Sequence, residues 1–359
     1  MTRELFIREL SAGLEARSVL RPAMTQADVV KDIFQAMLGV GHLLSSRENV
    51  IAFLDREMRG LSPDPGEPLF ELLSPAWCRL NLRRAMAEGL PSELIADMML
   101  SSENGISFTR QDVYAFCLRL ARSGDGRITD LPALERILDD RWLPSHSPAY
   151  REAFQPAYRV ISADWMSVFP AVREILGKSR DAARLLVTLD GPCASGKTTL
   201  AQKLAMVFRG AVLHTDDFVI PHARKTPKQL AIPGGNCDAD RLAREVAAPF
   251  KCGRPVQYRR YDFRNDILLP QDLLPPVKVL ILEGSYCNLP AIREHADVRL
   301  FLEAPWPLRE ARLKKRESPA SLRMFHNRWI PLEDAYFAAY HLPDEGCIPL
   351  RASDFPDPE

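Results

Sequence analysis

Residues 185–198 read Leu-Leu-Val-Thr-Leu-Asp-Gly-Pro-Cys-Ala-Ser-Gly-Lys-Thr. Leu185–Asp190 is a short, nearly continuous apolar run, the pattern of a strand buried on both faces. Gly191 to Thr198 then matches the phosphate-loop pattern G-x-x-x-x-G-K-T in full. Each position has a physical reason. Glycines let backbone N–H groups wrap around phosphate oxygens with no side chain in the way. A helix starting near Lys197 points its N-terminus at the anion. Lys197 places a cation on the outer phosphates, and the Thr198 hydroxyl can ligate Mg²⁺. Gly191, Pro192, Cys193, Ala194, Ser195, Gly196, Lys197, Thr198 and Thr199 are therefore the candidate nucleotide-binding set, with ATP and Mg²⁺ as the expected cofactors. Cys193 reads as a small filler inside the loop.

Downstream, strands alternate with helices. A helix over Thr198–Phe208 precedes a strand over Ala211–Thr215 and a Pro/Gly-rich stretch. A helix over Asp238–Phe250, strands over Val277–Glu283 and Asp297–Leu302, and a helix over Pro307–Arg316 follow. A last helix, Leu332–Tyr340, closes the chain behind Trp329-Ile330-Pro331. Such alternation predicts a parallel sheet covered on both faces.

Upstream of residue 180 the signals are helical. Val29, Val30, Ile33, Phe34, Met37 and Leu38 form a helical stripe within Ala27–Leu44, with Thr25 and Asp28 as a capping box. Gly39-Val40-Gly41-His42-Leu43-Leu44 interrupts that stripe and reads as a helix end or tight crossing. Residues 61–75 hold four prolines and read as a loop. Thr109 with Asp112 opens another helix, closed by Gly124-Asp125-Gly126. Further helices are expected over Asp130–Trp142, Pro148–Ser162 and Ala163–Gly177. The predicted organisation is an all-α domain, residues 1–180, followed by a three-layer α/β/α domain, residues 181–359.

The 359 residues suit two domains, and 46% apolar and 26% charged residues are ordinary for a globular chain. Lys plus Arg (47) equals Asp plus Glu (47), which argues against bulk capture of nucleic acid or an anionic membrane. The seven cysteines include no C-x-x-C pair, so neither a disulfide framework nor a zinc site is expected. No apolar run is long enough to span a bilayer. A cytoplasmic protein is the expectation, with a small-molecule partner and nothing against a homo-oligomer.

Three further features bear on chemistry. His214-Thr215-Asp216-Asp217-Phe218 ends the second strand, where ligands of parallel sheets sit. Asp216 can there accept the proton of an attacking hydroxyl, or support a metal's water shell. Glu283, followed by Gly284, ends a buried strand in a lone carboxylate, which fits metal-shell support. Arg309, Arg312 and Arg316 recur at i, i+3 and i+7 on one helix face, where guanidiniums can stabilise transferred phosphoryl charge.

The order G-x-x-x-x-G-K-T, Asp216-Asp217-Phe218, Tyr261-Asp262-Phe263, Ile281-Leu282-Glu283-Gly284 and the arginine-rich helix resembles the uridine kinase and phosphoribulokinase group over about residues 183–318. The resemblance implies a P-loop nucleotide-kinase-like domain. It also implies Asp216 as the base, Phe218 and Tyr261-Asp262 near the acceptor, and Arg309, Arg312 and Arg316 as lid arginines. Val219 and Asp266 depart from the family pattern, where a Tyr and a base-contacting His are usual. The expected activity is ATP-dependent phosphorylation of a hydroxyl on a small molecule, with a nucleoside such as uridine first. A non-nucleoside acceptor (vitamin precursor or sugar phosphate) and a nucleotide-sensing ATPase remain alternatives.

Overall fold

The computed structural model describes residues 2–39, 46–102, 107–124 and 126–352. They form two compact units that divide between Met166 and Ser167. That point lies inside the helix Asp164–Asp181, whose far end is where the sequence places the boundary.

Ten strands are named in chain order. In the C-terminal unit they are β4 (Leu185–Asp190), β5 (Ala211–His214), β6 (Gln257–Asp262), β7 (Ile267–Leu273), β8 (Val279–Glu283), β9 (Val298–Glu303) and β10 (Cys347–Arg351). Five of them form a parallel sheet in the order β10-β9-β4-β8-β5. Every residue of β4 and β8 is buried, as expected of central strands covered on both faces. The helix Lys197–Phe208 packs on β4, β5 and β8. This is the P-loop α/β/α fold, and the loop-bearing strand is central. Its neighbours run to β8 and β5 on one side and to β9 and β10 on the other. Ligands bind beyond the strand ends at such a reversal of order.

The four expected strands match β4, β5, β8 and β9 within two residues. Three strands lie outside the sequence expectation. β6 and β7 form an antiparallel hairpin of largely exposed residues, which lacks an apolar alternation. β10 carries Pro349 and follows the helix that was expected to close the chain. It pairs only with β9, so it is an edge strand, where a proline's missing N–H is tolerated. The expected helix 238–250 is one helical run with a π-turn over Ala243–Ala247. Pro249 cannot donate to the turn before it, and the wider turn absorbs the defect.

The N-terminal unit corrects the all-α expectation. Its helices include Arg3–Leu20, Gln26–Leu38, Arg47–Arg59, Ser92–Leu100 and Arg110–Arg122. Alongside them lies an antiparallel sheet of β1 (Phe70–Leu72), β2 (Trp77–Asn81) and β3 (Tyr158–Ser162). β1 lies inside the proline-rich 61–75 stretch. β3 falls in what reads as the helix 148–162. That helix stops at Phe154 because Gln155 turns left-handed at φ 40° and a proline follows. The expected helix 130–142 is a 3₁₀ turn over Pro132–Leu138.

The capping boxes at Thr25/Asp28 and Thr109/Asp112 form as expected. Gly39 ends the second helix at φ 62°, and a side chain there would strike the Trp77 ring. Residues 40–44 of the Gly39–Leu44 stretch, and Asp125, lie outside the described residues.

Phe6, Leu10, Leu14, Ile33, Phe34 and Met37 build this unit's core. A buried ion network crosses it. Asp32 accepts Arg17 Nη2 at 2.6 Å and Arg79 Nη2 at 2.8 Å. Asp28 accepts His146 Nδ1 at 2.9 Å and Ser147 Oγ at 2.6 Å. Burial works to raise the Asp28 pKa, but hydrogen bonds from Ser147, Thr25 and His146 bring it down to about 2. Burial, then Lys31, pushes His146 down to about 4.

Candidate active site

The loop leaves β4 at Asp190 and returns into the helix at Lys197. Gly191 stands at φ 142°, and a Cβ there would lie 2.3 Å from the Leu302 carbonyl oxygen. Only glycine allows β4 and β9 to stay so close at this point. Gly196 starts the helix from a left-handed conformation at φ 102°.

The Lys197 ammonium spans the loop, donating to the carbonyls of Gly191 at 2.8 Å and Pro192 at 3.0 Å. Ser195 Oγ is buried beside it without a hydrogen-bond partner. Cys193 is buried, and its thiol pKa is pushed up to about 11, by burial first and then by Glu333. It is an inert filler.

Strand ends supply the carboxylates. Thr198 donates its hydroxyl to Glu283 Oε1 at 2.9 Å, and His214 Nδ1 donates to the same oxygen at 2.5 Å. His214 and Glu283 are register partners on β5 and β8. The bond to Glu283 is the main reason the His214 pKa is raised.

Asp216 follows β5. It is open to solvent, yet it sits low enough among protein atoms that burial raises its pKa. Lys197 opposes that shift, and Glu283 and Glu333 reinforce it. Asp190 is fully buried. Burial lifts it to about 6 against hydrogen bonds from Tyr336, Gly191 and Asn288.

The structure brings Lys197, Thr198, Asp216, Glu283, Arg309 and Arg312 to one place. Arg309 Nε donates to the Cys193 carbonyl at 2.9 Å, and Arg312 Nη1 to the Ser195 carbonyl at 2.9 Å. Arg316 turns away, pairing with Glu317 and the Phe325 ring. Phe218 is a core residue beneath the Arg241 guanidinium. Tyr261 donates its hydroxyl to Asp266, which also accepts the His222 amide at 2.9 Å. Asp262 accepts from the Arg264 and Asn265 amides and so caps the β6–β7 turn.

Sequence reasoning missed His214, Ser285, Glu333 and Tyr336. His214 is the last residue of β5, two positions before Asp216, which lies in the 3₁₀ turn Thr215–Phe218. No local signal marks the other three.

A recess of about 520 Å³ opens beside Pro192, lined by Phe301, Glu303, Arg309, Phe337 and Leu342. It lies at the β9 and β10 ends, whereas Asp216 lies at the β5 end. A larger recess, about 690 Å³, lies on the β6–β7 hairpin and is lined by no loop residue.

No protein-family model matches the chain, and no curated protein does. Solved structures show similarity over about half of it. A chain provisionally described as a fructose transport system kinase, from Silicibacter sp. TM1040, is 25% identical over 47% of this chain and 93% of its own, at a TM-score of 0.40. One provisionally described as a uridine kinase, from Bacillus stearothermophilus, is 19% identical over 50% and 99%, at 0.37. YFH7 from Saccharomyces cerevisiae, provisionally described as a P-loop kinase with a circular permutation, is 11% identical over 53% and 99%, at 0.41. TM-scores this low carry no weight. The fold assignment rests on the strand order and the loop geometry.

Proposed function

We propose that this chain transfers the γ-phosphoryl group of ATP to a hydroxyl of a small molecule, with a nucleoside as the first acceptor class. The carrying observation is the convergence of Lys197, Thr198, Glu283 and Asp216 on one end of a fully formed phosphate loop. The donor's phosphates lie along the loop amides and Lys197. Its base enters the recess at Phe301 and Phe337, whose size is in the range of small-molecule sites. The acceptor approaches from the opposite side, at Asp216. Asp216 takes the hydroxyl proton as the acceptor oxygen attacks the γ-phosphorus and ADP leaves. Its raised pKa makes it a stronger base than an ordinary carboxylate. Arg309 and Arg312, already on the loop carbonyls, reach the transferred charge.

The residues present fit Mg²⁺. Thr198 Oγ1 and the Glu283 carboxylate are adjacent hard-oxygen groups, with Asp216 beside them. Among the described residues no cluster of three or more His, Cys, Asp or Glu is arranged to hold a metal. Mg²⁺ takes few protein ligands and fills its shell with water and phosphate oxygens. Bound there, it would neutralise charge on the outer phosphates.

Asp266 favours a second reading of the acceptor. Its carboxylate is committed to Tyr261 and His222, so nothing at this position is free to read a nucleobase. A non-nucleoside polyol fits that arrangement. A panel of nucleosides, vitamin precursors, sugars and sugar phosphates with Mg-ATP tests both readings by ADP release. One class should raise turnover above the rate with water alone. No stimulation by any acceptor would overturn the transferase reading and leave a nucleotide sensor.

A further inference from the structure

The helix Ile330–Ala339 reaches the phosphate loop with two side chains one turn apart. Glu333 Oε2 accepts the Cys193 amide at 2.8 Å. Its Oε1 accepts the Ser285 hydroxyl at 2.6 Å, and that hydroxyl lies 3.1 Å from the Gly191 carbonyl oxygen. Tyr336 donates its hydroxyl to Asp190 Oδ2 at 2.8 Å and accepts the Asn288 amide at 3.2 Å. The residue before the loop and the third residue within it thus hang on one helix face.

A carboxylate on an anion-binding loop works against the phosphate that loop would take. It is either a plug that leaves or a post that stays. Both of its oxygens are bonded, and the residue is buried. Its helix is anchored as well. Tyr336 is fully buried with its ring 4.9 Å from Tyr286, and Phe337 sits edge-on to Phe301 at 5.3 Å. Arg309 grips the Cys193 carbonyl, so that residue is held through both its N–H and its C=O. These contacts describe a post.

We propose that Glu333 is a positioning residue that holds the phosphate loop at Cys193 in its nucleotide-ready shape. The inference rests on the ATP-binding reading above. Without Glu333, the buried Cys193 amide loses its acceptor, next to Ala194 at a left-handed φ of 58°. The loop peptide is then free to reorient, and the shape of the phosphate cradle is lost.

Calorimetric Mg-ATP binding, with KM for ATP and for the acceptor, tests this on the full chain. Glu333→Ala should weaken Mg-ATP binding by about tenfold or more, with the acceptor KM unchanged. Glu333→Gln should restore binding to within about threefold of wild type. Its amide oxygen can accept from Cys193 while Ser285 turns to Gly191. A purely structural role would not split the two KM values. Unchanged binding in Glu333→Ala overturns the proposal, and tighter binding overturns it in favour of a competing carboxylate. If that variant fails to melt cooperatively, Ser285→Ala takes its place. It frees one oxygen of Glu333 and should weaken Mg-ATP by about threefold, and unchanged binding there overturns the proposal. A wild-type chain that binds no Mg-ATP overturns the donor reading and the role of Glu333 with it. A wild type that binds, beside a Glu333→Ala chain that binds equally, overturns the role alone.

Discussion

The two units shift their carboxylates in opposite directions. In the N-terminal unit, Asp32 meets the Arg17 and Arg79 guanidiniums, and Asp28 meets His146 and the Ser147 hydroxyl. Both aspartates are held below their ordinary pKa. In the C-terminal unit, Asp190 and Asp216 are raised by burial that their neighbours do not fully offset. Buried charge with matched partners pins a fold. A carboxylate left partly unmatched beside a phosphate loop is a stronger base, and Asp216 is the one open to solvent.

The sharpest break of that comparison is at its two clearest aspartates. Asp216→Asn should lower kcat by about a hundredfold to ten-thousandfold while Mg-ATP binding holds, as steady-state kinetics and calorimetry would show. An Asp216→Asn chain of near-normal kcat would make the raised carboxylate incidental. Asp32→Asn should do the reverse. It removes the buried charge that Arg17 and Arg79 share, leaving Arg17 the Leu72 carbonyl and Arg79 the Glu71 carboxylate, and should cost the N-terminal unit about 3 kcal/mol. Hydrogen exchange would accelerate at Ile33 and Phe34 and stay slow at Val187 and Ile281.

Acid should separate the units by sign. Unfolded His146 gains its proton near 6.5, whereas the folded residue refuses it until about 4. Its contribution to the N-terminal unit is complete above pH 6.5 and is lost as pH falls toward 4. Asp28 extends that loss from its ordinary 3.8 toward 2. Asp190 acts oppositely. The unfolded residue sheds its proton near 3.8 and the folded one near 6, so its contribution is complete below 3.8 and is lost as pH rises through 6. Protection factors corrected for intrinsic exchange, taken from pH 4 to 6.5, should rise at Ile33 and fall at Val187. Parallel trends in the two units would defeat the comparison.

The smallest effect concerns the arginine helix. Arg309→Ala should cost about tenfold or more in kcat/KM, and Arg316→Ala less than about twofold. Equal losses would show that Arg316 swings in from the Glu317 pairing.

How much of this was legible followed from distance along the chain. The loop, the Lys197 and Thr198 pair and the strand-end carboxylates are local patterns, because a strand, a turn and a helix start lie within a dozen residues. The parallel strands were legible because burial on both faces writes a continuous apolar run. Glu333 was not legible, since its partner Cys193 lies 140 residues away and a glutamate one turn into a helix looks like any first-turn acid. β10 was hidden by Pro349, and the β6–β7 hairpin by its exposed, unpatterned sequence. In the N-terminal unit the helices announced themselves by period and caps. Its sheet did not, because β3 lies behind a left-handed break at Gln155, and the helical reading ran through Pro156, which marks that break.

The central place of β4 has an evolutionary consequence. Under the proposed roles, the recess for the donor's base lies at the β9 and β10 ends, and Asp216, which meets the acceptor, follows β5. The loop and the arginines that bind its carbonyls, Arg309 and Arg312, are shared. Mutations that retune the acceptor can then accumulate on one flank without passing through a donor-deficient ancestor. A lineage can change what it phosphorylates while its energy supply stays untouched.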